Sequence, residues 1–498
     1  MHRRVASPRA IRSAWARVGL LAALACLGWV PFMGRSLSPD EGGMLIVGGQ
    51  WAPGSSLYGD YWVDRPPVLV ALFALADEAG GAWALRTLGV LAVIATVLLA
   101  GLVGRLAVPS SLNAPLLTAG AAAALVATPL FGGGAVNGEL LGLPFLLAGI
   151  AAVLRSRTAT TWRSGFAWAL LAGVAGACGA MVKQNLVDVF VLVAALVVLQ
   201  WRPRRGESTV VSRTLAGTAV GALAAVGLAV WLAALRGTDP GPLWEAVVSF
   251  RGEAAAKIVS SATETTSRRL LGMIAALVAS AAPLLVAALL LASRRPVREA
   301  ADAPGPGDLR WAAVAVLAWE LVAAYVSGSY WLHYLTALIP GVVLVAAAAA
   351  QRRPERSRLL TTAYAVTAIS TACAIVFVAV RPIERPEEPV VAYLQDKVRP
   401  GDTGMVAFGA ANILQAAGLQ SPYPDLWSLP VRVRDPKLER LEQVLAGPDR
   451  PTWLIVAGRS LDTWGIDASA AEVHLDEHYE LVGSPGRFTV YHRKDHTP

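Results

Sequence analysis

An α-helical polytopic membrane protein with a small α/β domain at its C-terminal end is the fold class that the sequence predicts, on three observations. The 498 residues have a mean hydropathy of +0.52, and 16% of them are charged, against roughly 25% in a soluble globular domain. The deficit is uneven: apolar runs of about 20 residues, enough to cross a bilayer core of about 30 Å, recur from Leu20 to Val380. After Arg381 the chain turns polar and Pro-rich. These features exclude a secreted or cytosolic globular protein and a disordered one. They also argue against an outer-membrane barrel, whose strands alternate polar and apolar over about 10 residues.

The apolar runs predict about eleven spans, near 15–32, 84–106, 113–130, 139–154, 165–182, 186–201, 213–235, 270–292, 310–327, 331–350 and 359–380. A basic stretch before the first run also fits a cleaved signal peptide, but no small-residue cleavage site follows it. An odd number of spans puts the termini on opposite sides, and the arginines decide which. With the N-terminus inside, the inside segments carry Arg3, Arg4, Arg9, Arg12 and Arg17, then Arg105, then Arg155, Arg157 and Arg163. Arg202, Arg204, Arg205 and Arg213 follow, then Arg294, Arg295, Arg298 and Arg310, then Arg352, Arg353, Arg356 and Arg358. The outside carries Arg35, Arg65, Lys183 and a mixed-charge loop at 236–269, while 131–138 and 328–330 carry no Lys or Arg. The bias predicts a multi-pass plasma-membrane protein with a cytoplasmic N-terminus and an extracytoplasmic C-terminal domain. The net charge of +8 is thereby assigned to orientation rather than to nucleic acid. Cys26, Cys178 and Cys373 fall inside apolar runs and read as small core hydrophobes.

Two domains follow: 1–380, a membrane domain with a long first outside loop at 33–83, and 381–498, an outer α/β domain. In the latter, 387–398 and 435–445 read as helices, with Leu438, Leu441, Val444 and Leu445 on one face. Residues 404–408 and 451–456 read as strands, and 479–482 with 487–492 as a hairpin.

The first outside loop is far longer than a helix connection needs. Ser38-Pro39-Asp40-Glu41 predicts a helix start, with a Ser cap, Pro in the first turn and two acids at the positive end of the dipole. Met44 to Val47 continue it as an interfacial helix, and Tyr58, Tyr61 and Trp62 suit the headgroup region. Asp64-Arg65-Pro66-Pro67 stops the chain and launches a second short helix over 68–78. The plainer reading of Asp40 and Glu41 is a capping pair. The sharper one is a carboxylate base at the membrane surface, with Arg65 gripping a phosphate beside it. Asn137-Gly138-Glu139, Lys183-Gln184-Asn185 and Tyr330, Trp331, His333 and Tyr334 open or close helices on the same side. Each alone reads as a snorkelling or capping group; together they put Asp40, Asp64, Arg65, Glu139, Lys183 and His333 at one leaflet. Glu320 and Asp188, inside spans, are expected to pair with a neighbour or line a cavity.

Asp40-Glu41, the Tyr/Trp-rich stretch, Tyr61-Trp62-Val63-Asp64-Arg65-Pro66-Pro67 and Arg86 together resemble the GT-C superfamily of polytopic glycosyltransferases. The likeness is greatest to the branch of aminoarabinose (lipid A) transferases and protein O-mannosyltransferases. It covers about residues 1–345, including His333-Tyr334, Pro340, Lys183-Gln184 and Asn137-Gly138-Glu139. It implies a GT-C-like fold and inverting transfer of a sugar from a polyprenyl-phosphate donor to a lipid, glycan or protein acceptor on the outer face. Asp40 and Glu41 stand at the family's catalytic acids. Asp64, Arg65, Arg86, Glu139, Lys183, His333 and Tyr334 are the implied substrate-binding residues. No nucleotide-binding glycine motif is present, and none is needed for a lipid-phosphate donor; a divalent metal, if used, would take Glu41 or Asp64 as a hard oxygen ligand. Two departures stand out: Arg65 replaces the usual Lys, and Gly42-Gly43 follows the acid pair, which should loosen the interfacial helix. The rival classes are a polytopic lipid or solute transporter or flippase, and a scaffold whose C-terminal domain does the binding.

Overall fold

The computed structural model describes residues 8–51, 57–199, 207–260, 264–294, 307–352, 357–381, 384–458, 460–462 and 466–495. Of the cations expected inside, Arg3, Arg4, Arg202, Arg204, Arg205, Arg295, Arg298, Arg353 and Arg356 lie outside the described residues, as does the end of the 186–201 run. The helices up to residue 381 are α1 (Pro8–Leu27), α2 (Pro39–Gln50), α3 (Pro67–Glu78), α4 (Ala82–Ala107), α5 (Ala114–Val126), α6 (Gly138–Thr158), α7 (Trp162–Val182) and α8 (Asp188–Leu199). They continue with α9 (Glu207–Leu235), α10 (Pro240–Trp244), α11 (Phe250–Ser260), α12 (Glu264–Ala279), α13 (Ala282–Ala292), α14 (Arg310–Val326), α15 (Ile339–Ala350) and α16 (Arg358–Val380).

The described part of each apolar run singled out in the sequence is mostly helical, as suits a lipid surround that offers the backbone no hydrogen-bond partner. Among the described residues, 7 helices are long and apolar enough to cross a membrane, or up to 8 if α12 and α13, bent by 56° at their junction, count as one span. Helices α5, α8 and α14, of 13, 12 and 17 residues, are shorter than the roughly 20 residues of a full crossing.

The chain divides into two compact units: 1–33, 86–229 and 262–381, and 34–85, 230–261 and 382–498. The first is a helical bundle. Helices α6 and α7 form a hairpin whose turn is gripped by Arg213; its guanidinium donates to the carbonyls of Ser156 (2.8 Å), Ala159 (2.9 Å) and Thr161 (3.2 Å). Arg213, expected only as an orienting charge, thus also caps the C-terminal end of α6. Asp188 on α8 and Glu320 on α14 face each other, and Glu320 Oε1 accepts from Gly341 N at 2.7 Å. This is the pairing that two carboxyls in apolar surroundings require.

The second unit gathers three of the segments that the arginine bias predicts outside: the first loop from residue 34, the 236–269 loop as far as residue 261, and the C-terminal region. The last contributes α17 (Glu388–Gln395), α18 (Asn412–Ala417), α19 (Ser428–Arg434), α20 (Glu439–Ala446) and α21 (Ser469–His478), with strands β1 (Gly404–Ala407), β2 (Trp453–Ala457), β3 (Tyr479–Gly483) and β4 (Phe488–Arg493). The sheet order is β1-β2-β4-β3, with β1 parallel to β2 and the other pairs antiparallel. Leu441 and Leu445 on α20 enter its core with Met405, Leu454 and Val456, as their helical spacing predicts; Leu438 enters it too, but at φ +55° just before a helix that starts at Glu439, later than the expected 435; α18, α19 and α21 were not read from the sequence.

Gly42 and Gly43 are explained here. A Cβ on Gly42 would stand 2.4 Å from the Cα of Asn412, and one on Gly43 would stand 2.5 Å from the Trp427 ring. The pair does not loosen α2; it lets α18 and Trp427 pack against its backbone, and Asn412 Nδ2 donates to the Leu37 carbonyl at 3.0 Å. Gly42→Ala should therefore cost about 1–3 kcal/mol through overpacking. Gly252→Ala, on α11 with nothing within 4 Å, should be neutral or gain up to about 1 kcal/mol of helix propensity. Thermal unfolding of the two purified variants checks this; equal midpoints would contradict the close approach.

Candidate functional site

In the second unit the two adjacent acids have different fates. Ser38 caps α2: its Oγ accepts from Glu41 N (3.3 Å), and Glu41 Oε2 accepts from Ser38 N (2.8 Å) and Ser38 Oγ (2.9 Å). This reciprocal arrangement satisfies two orphan donors at the helix start, and it holds Glu41 fully buried. Asp40, one residue earlier, points out of the turn and is exposed. Its Oδ1 accepts from Trp427 Nε1 at 3.0 Å. The capping role that the sequence left open between the pair belongs to Glu41; Asp40 is the acid exposed to solvent. Trp427 was not identified from the sequence: it lies in a loop just before α19, far along the chain, with no local pattern linking it to α2.

Asp64 and Arg65 form a second group. Asp64 is 6% exposed, and its two oxygens pair with different guanidinium groups, Arg65 at 3.0 Å and Arg251 on α11 at 2.6 Å. Arg251 also donates to the Asp64 carbonyl at 3.1 Å. The Tyr58 hydroxyl donates to the Arg65 carbonyl at 3.1 Å, and burial, with the nearby Asp64 charge, raises the Tyr58 pKa. Trp62 anchors the stretch: it packs edge-on against Phe250, centroids 4.6 Å apart, with Arg434 4.2 Å over its ring. Arg434 in turn pairs with buried Asp425 at 3.4 Å. Arg251 was visible in the sequence only as one cation of a mixed loop; its partner could not be read.

Glu41 and Asp64 do not suit a metal. Glu41 accepts from Ser38 N and Ser38 Oγ, and the two oxygens of Asp64 meet two guanidiniums, so a cation would have to displace them.

The first unit holds the other predicted residues. Asn137 caps α6, its side chain accepting from Leu140 N at 3.0 Å, which sets Glu139 in the first turn, 1% exposed. Lys183, the C-cap of α7, pairs with Glu139 Oε1. His333 Nε2 lies 3.8 Å from the same oxygen. The Lys183 ammonium sits 4.3 Å over the Tyr334 ring, which meets His333 edge-on at 4.9 Å. Gly132, at φ +71°, turns the chain closely enough that a Cβ there would stand 2.7 Å from His333 N, so the residue at this turn must be glycine. The structure thus joins Glu139, Lys183, His333 and Tyr334, residues far apart in sequence. Arg86 is 1% exposed and donates to the Gly134 carbonyl at 3.0 Å; it braces the 132–137 turn instead of presenting its charge at the surface.

Comparison with protein-family models finds no match, and neither does comparison with curated proteins. Solved structures do match. Superposition on ArnT from Cupriavidus metallidurans, bound to undecaprenyl phosphate, gives a TM-score of 0.62 at 14% identity, covering 96% of this chain and 97% of that one. The archaeal oligosaccharyltransferase AglB from Archaeoglobus fulgidus, in complex with an inhibitory peptide and a dolichol-phosphate, gives 0.57 at 10% identity over 97% and 75%. Mycobacterial arabinofuranosyltransferase AftD gives 0.50 at 18% over 96% and 41%. The fold is the GT-C fold that the sequence resemblance implies.

The Glu139 cluster yields a prediction. Lys183→Ala leaves a buried carboxylate short of its principal counter-charge and should cost about 3–5 kcal/mol. Adding Glu139→Gln removes the stranded charge and should recover much of the loss. Melting of the detergent-solubilised variants checks this; a double variant as unstable as Lys183→Ala would show that the ion pair is not what Lys183 contributes.

Proposed function

We propose that this chain is a membrane glycosyltransferase that moves a sugar from a polyprenyl-phosphate donor to a hydroxyl of a lipid, glycan or protein acceptor, with inversion. The observation that carries the reading is the exposed Asp40 held by Trp427 while its neighbour Glu41 is spent on capping. Support comes from a fold shared with proteins solved with undecaprenyl phosphate and with a dolichol-phosphate.

In this reading, Asp40 takes the proton of the acceptor hydroxyl as its oxygen attacks the anomeric carbon. The bond from that carbon to the phosphate oxygen breaks, and the polyprenyl phosphate leaves with the electron pair. The transition state is oxocarbenium-like, as in glycoside chemistry generally. Charge grows on the leaving phosphate, so cations aimed at it accelerate the step; Arg65, fixed by Asp64, is the residue assigned to it. The indole N–H on Asp40 orients the carboxylate and leaves its other oxygen to receive the proton. Lys183, His333 and Tyr334 are assigned to substrate binding.

Transfer from a short-chain polyprenyl-phosphate sugar is the test. Asp40→Asn keeps the shape and should lower turnover by roughly 10²–10⁴-fold; near-normal turnover would remove Asp40 from the reaction. Trp427→Phe deletes one hydrogen bond to a charged group, about 1.5–3 kcal/mol, and should lower kcat while barely moving KM. Arg65→Ala should depress both kcat and kcat/KM, with Arg65→Lys recovering part; unchanged parameters would mean that the phosphate is held elsewhere.

The same reading places the second unit outside the cell and the N-terminus in the cytoplasm. In a chain whose native cysteines are replaced, Ala470→Cys on α21 should label with an impermeant thiol reagent in intact cells. Thr160→Cys, in the α6–α7 turn, should not. The opposite pattern reverses the orientation.

A further inference from the structure

Helix α21 carries His474 and His478, four residues apart, so both imidazoles leave one face. Their rings lie 5.8 Å apart and nearly parallel, with 12° between their planes. Glu477 shares that end of the helix: one ligand atom from each of His474, Glu477 and His478 lies within 4.8 Å of the others. Glu442, on the adjacent helix α20, brings a carboxylate oxygen to 4.0 Å from His474 Nε2, and Glu477 Oε2 lies 3.7 Å from His478 Nε2. His474 Nδ1 is buried and has no hydrogen-bond partner among the described residues. The transfer reaction uses none of these groups.

We propose that this face binds a divalent transition-metal ion of the zinc class, through a nitrogen each from His474 and His478 and an oxygen from Glu477. Two imidazoles and a carboxylate form a donor set that suits zinc, and copper or nickel in competition with it. Metal–ligand bonds of about 2.0–2.2 Å separate neighbouring ligand atoms by about 3–4 Å, so side-chain rotation alone brings the three donors into range. The backbone under them is fixed: Lys494 Nζ donates to the carbonyls of Asp476 and Glu477, and Lys494 N donates to that of His478. Glu442 on α20 lies 4.0 Å from the same imidazole, near enough to become the outer carboxylate that orients a ligating ring. A bound ion would clasp one face of α21 beside α20. This site is distinct from Glu41 and Asp64, and its existence does not depend on the glycosyl-transfer reading.

The test uses the full chain in detergent, carried on a histidine-free affinity tag, stripped with chelator and titrated with Zn²⁺ by calorimetry. The wild type should take up one equivalent and melt at a higher temperature with zinc than without. His474→Ala/His478→Ala should abolish that equivalent, and Glu442→Gln should weaken it by about 10-fold. These side chains are partly exposed, so the variants should keep the helix content of the wild type by circular dichroism. Co²⁺ added to the stripped wild type should give the d–d bands of nitrogen-ligated cobalt, a readout that needs no variant. A wild type that takes up no zinc, cobalt spectra without nitrogen ligation, or a double variant that binds zinc like the wild type would each overturn the proposal.

Discussion

A bilayer gives an unpaired backbone group no partner and makes a buried charge expensive, and the arrangement of this chain follows from that constraint. The apolar runs are helical, and the polar side chains that matter sit at helix ends or just beyond them. Asp40 and Glu41 occupy the first turn of α2, Asp64 and Arg65 precede α3, and Glu139 lies in the first turn of α6. Lys183 terminates α7, Asp188 begins α8, and His333 and Tyr334 lie in the 3₁₀ turn that leads into α15. The exception, Glu320 in the interior of α14, faces Asp188 and is held by a backbone N–H. Clustering at helix ends is thus partly a physical necessity. Function must be argued from how the groups at each end are partnered.

Partnering separates residues that the sequence treats alike. Asp40 and Glu41 are adjacent acids in one helical turn, yet Glu41 is buried by the reciprocal bonds with Ser38, while Asp40 is left exposed with an indole on one oxygen. A capping box needs its acid three residues past the cap, so the geometry of the turn, rather than any difference in acidity, sets the division. Arg65 and Arg86 divide similarly: one is a third exposed beside Asp64, the other buried on a backbone carbonyl.

The sequence made the local features legible and left the distant pairings dark. The helical segments, the Ser38 cap, the Pro66-Pro67 break and the four strands could be read because each rests on neighbours in the chain. Glu139, Lys183, His333 and Tyr334 could be grouped only by the leaflet they share and by resemblance. Trp427 on Asp40 and Arg251 on Asp64 were invisible: each contact spans well over a hundred residues, and neither partner has a local signature. Gly42-Gly43 was misread for the same reason. Two glycines in a helix signal flexibility when only the helix is considered, whereas Asn412 and Trp427 packed against them require the missing side chains.

Charge balance bears on where a phosphate would be held. The two oxygens of Asp64 are divided between two guanidiniums. Buried Glu139, by contrast, is paired with the Lys183 ammonium and has His333 beside it. A phosphate gaining charge as its bond to the sugar breaks is stabilised most by a cation that is fixed and not already neutralised. In the proposed donor site Arg65 is fixed on one oxygen of Asp64. Arg251, unremarkable in the sequence, takes the other oxygen and so shares the charge of the acid that Arg65 would otherwise meet alone.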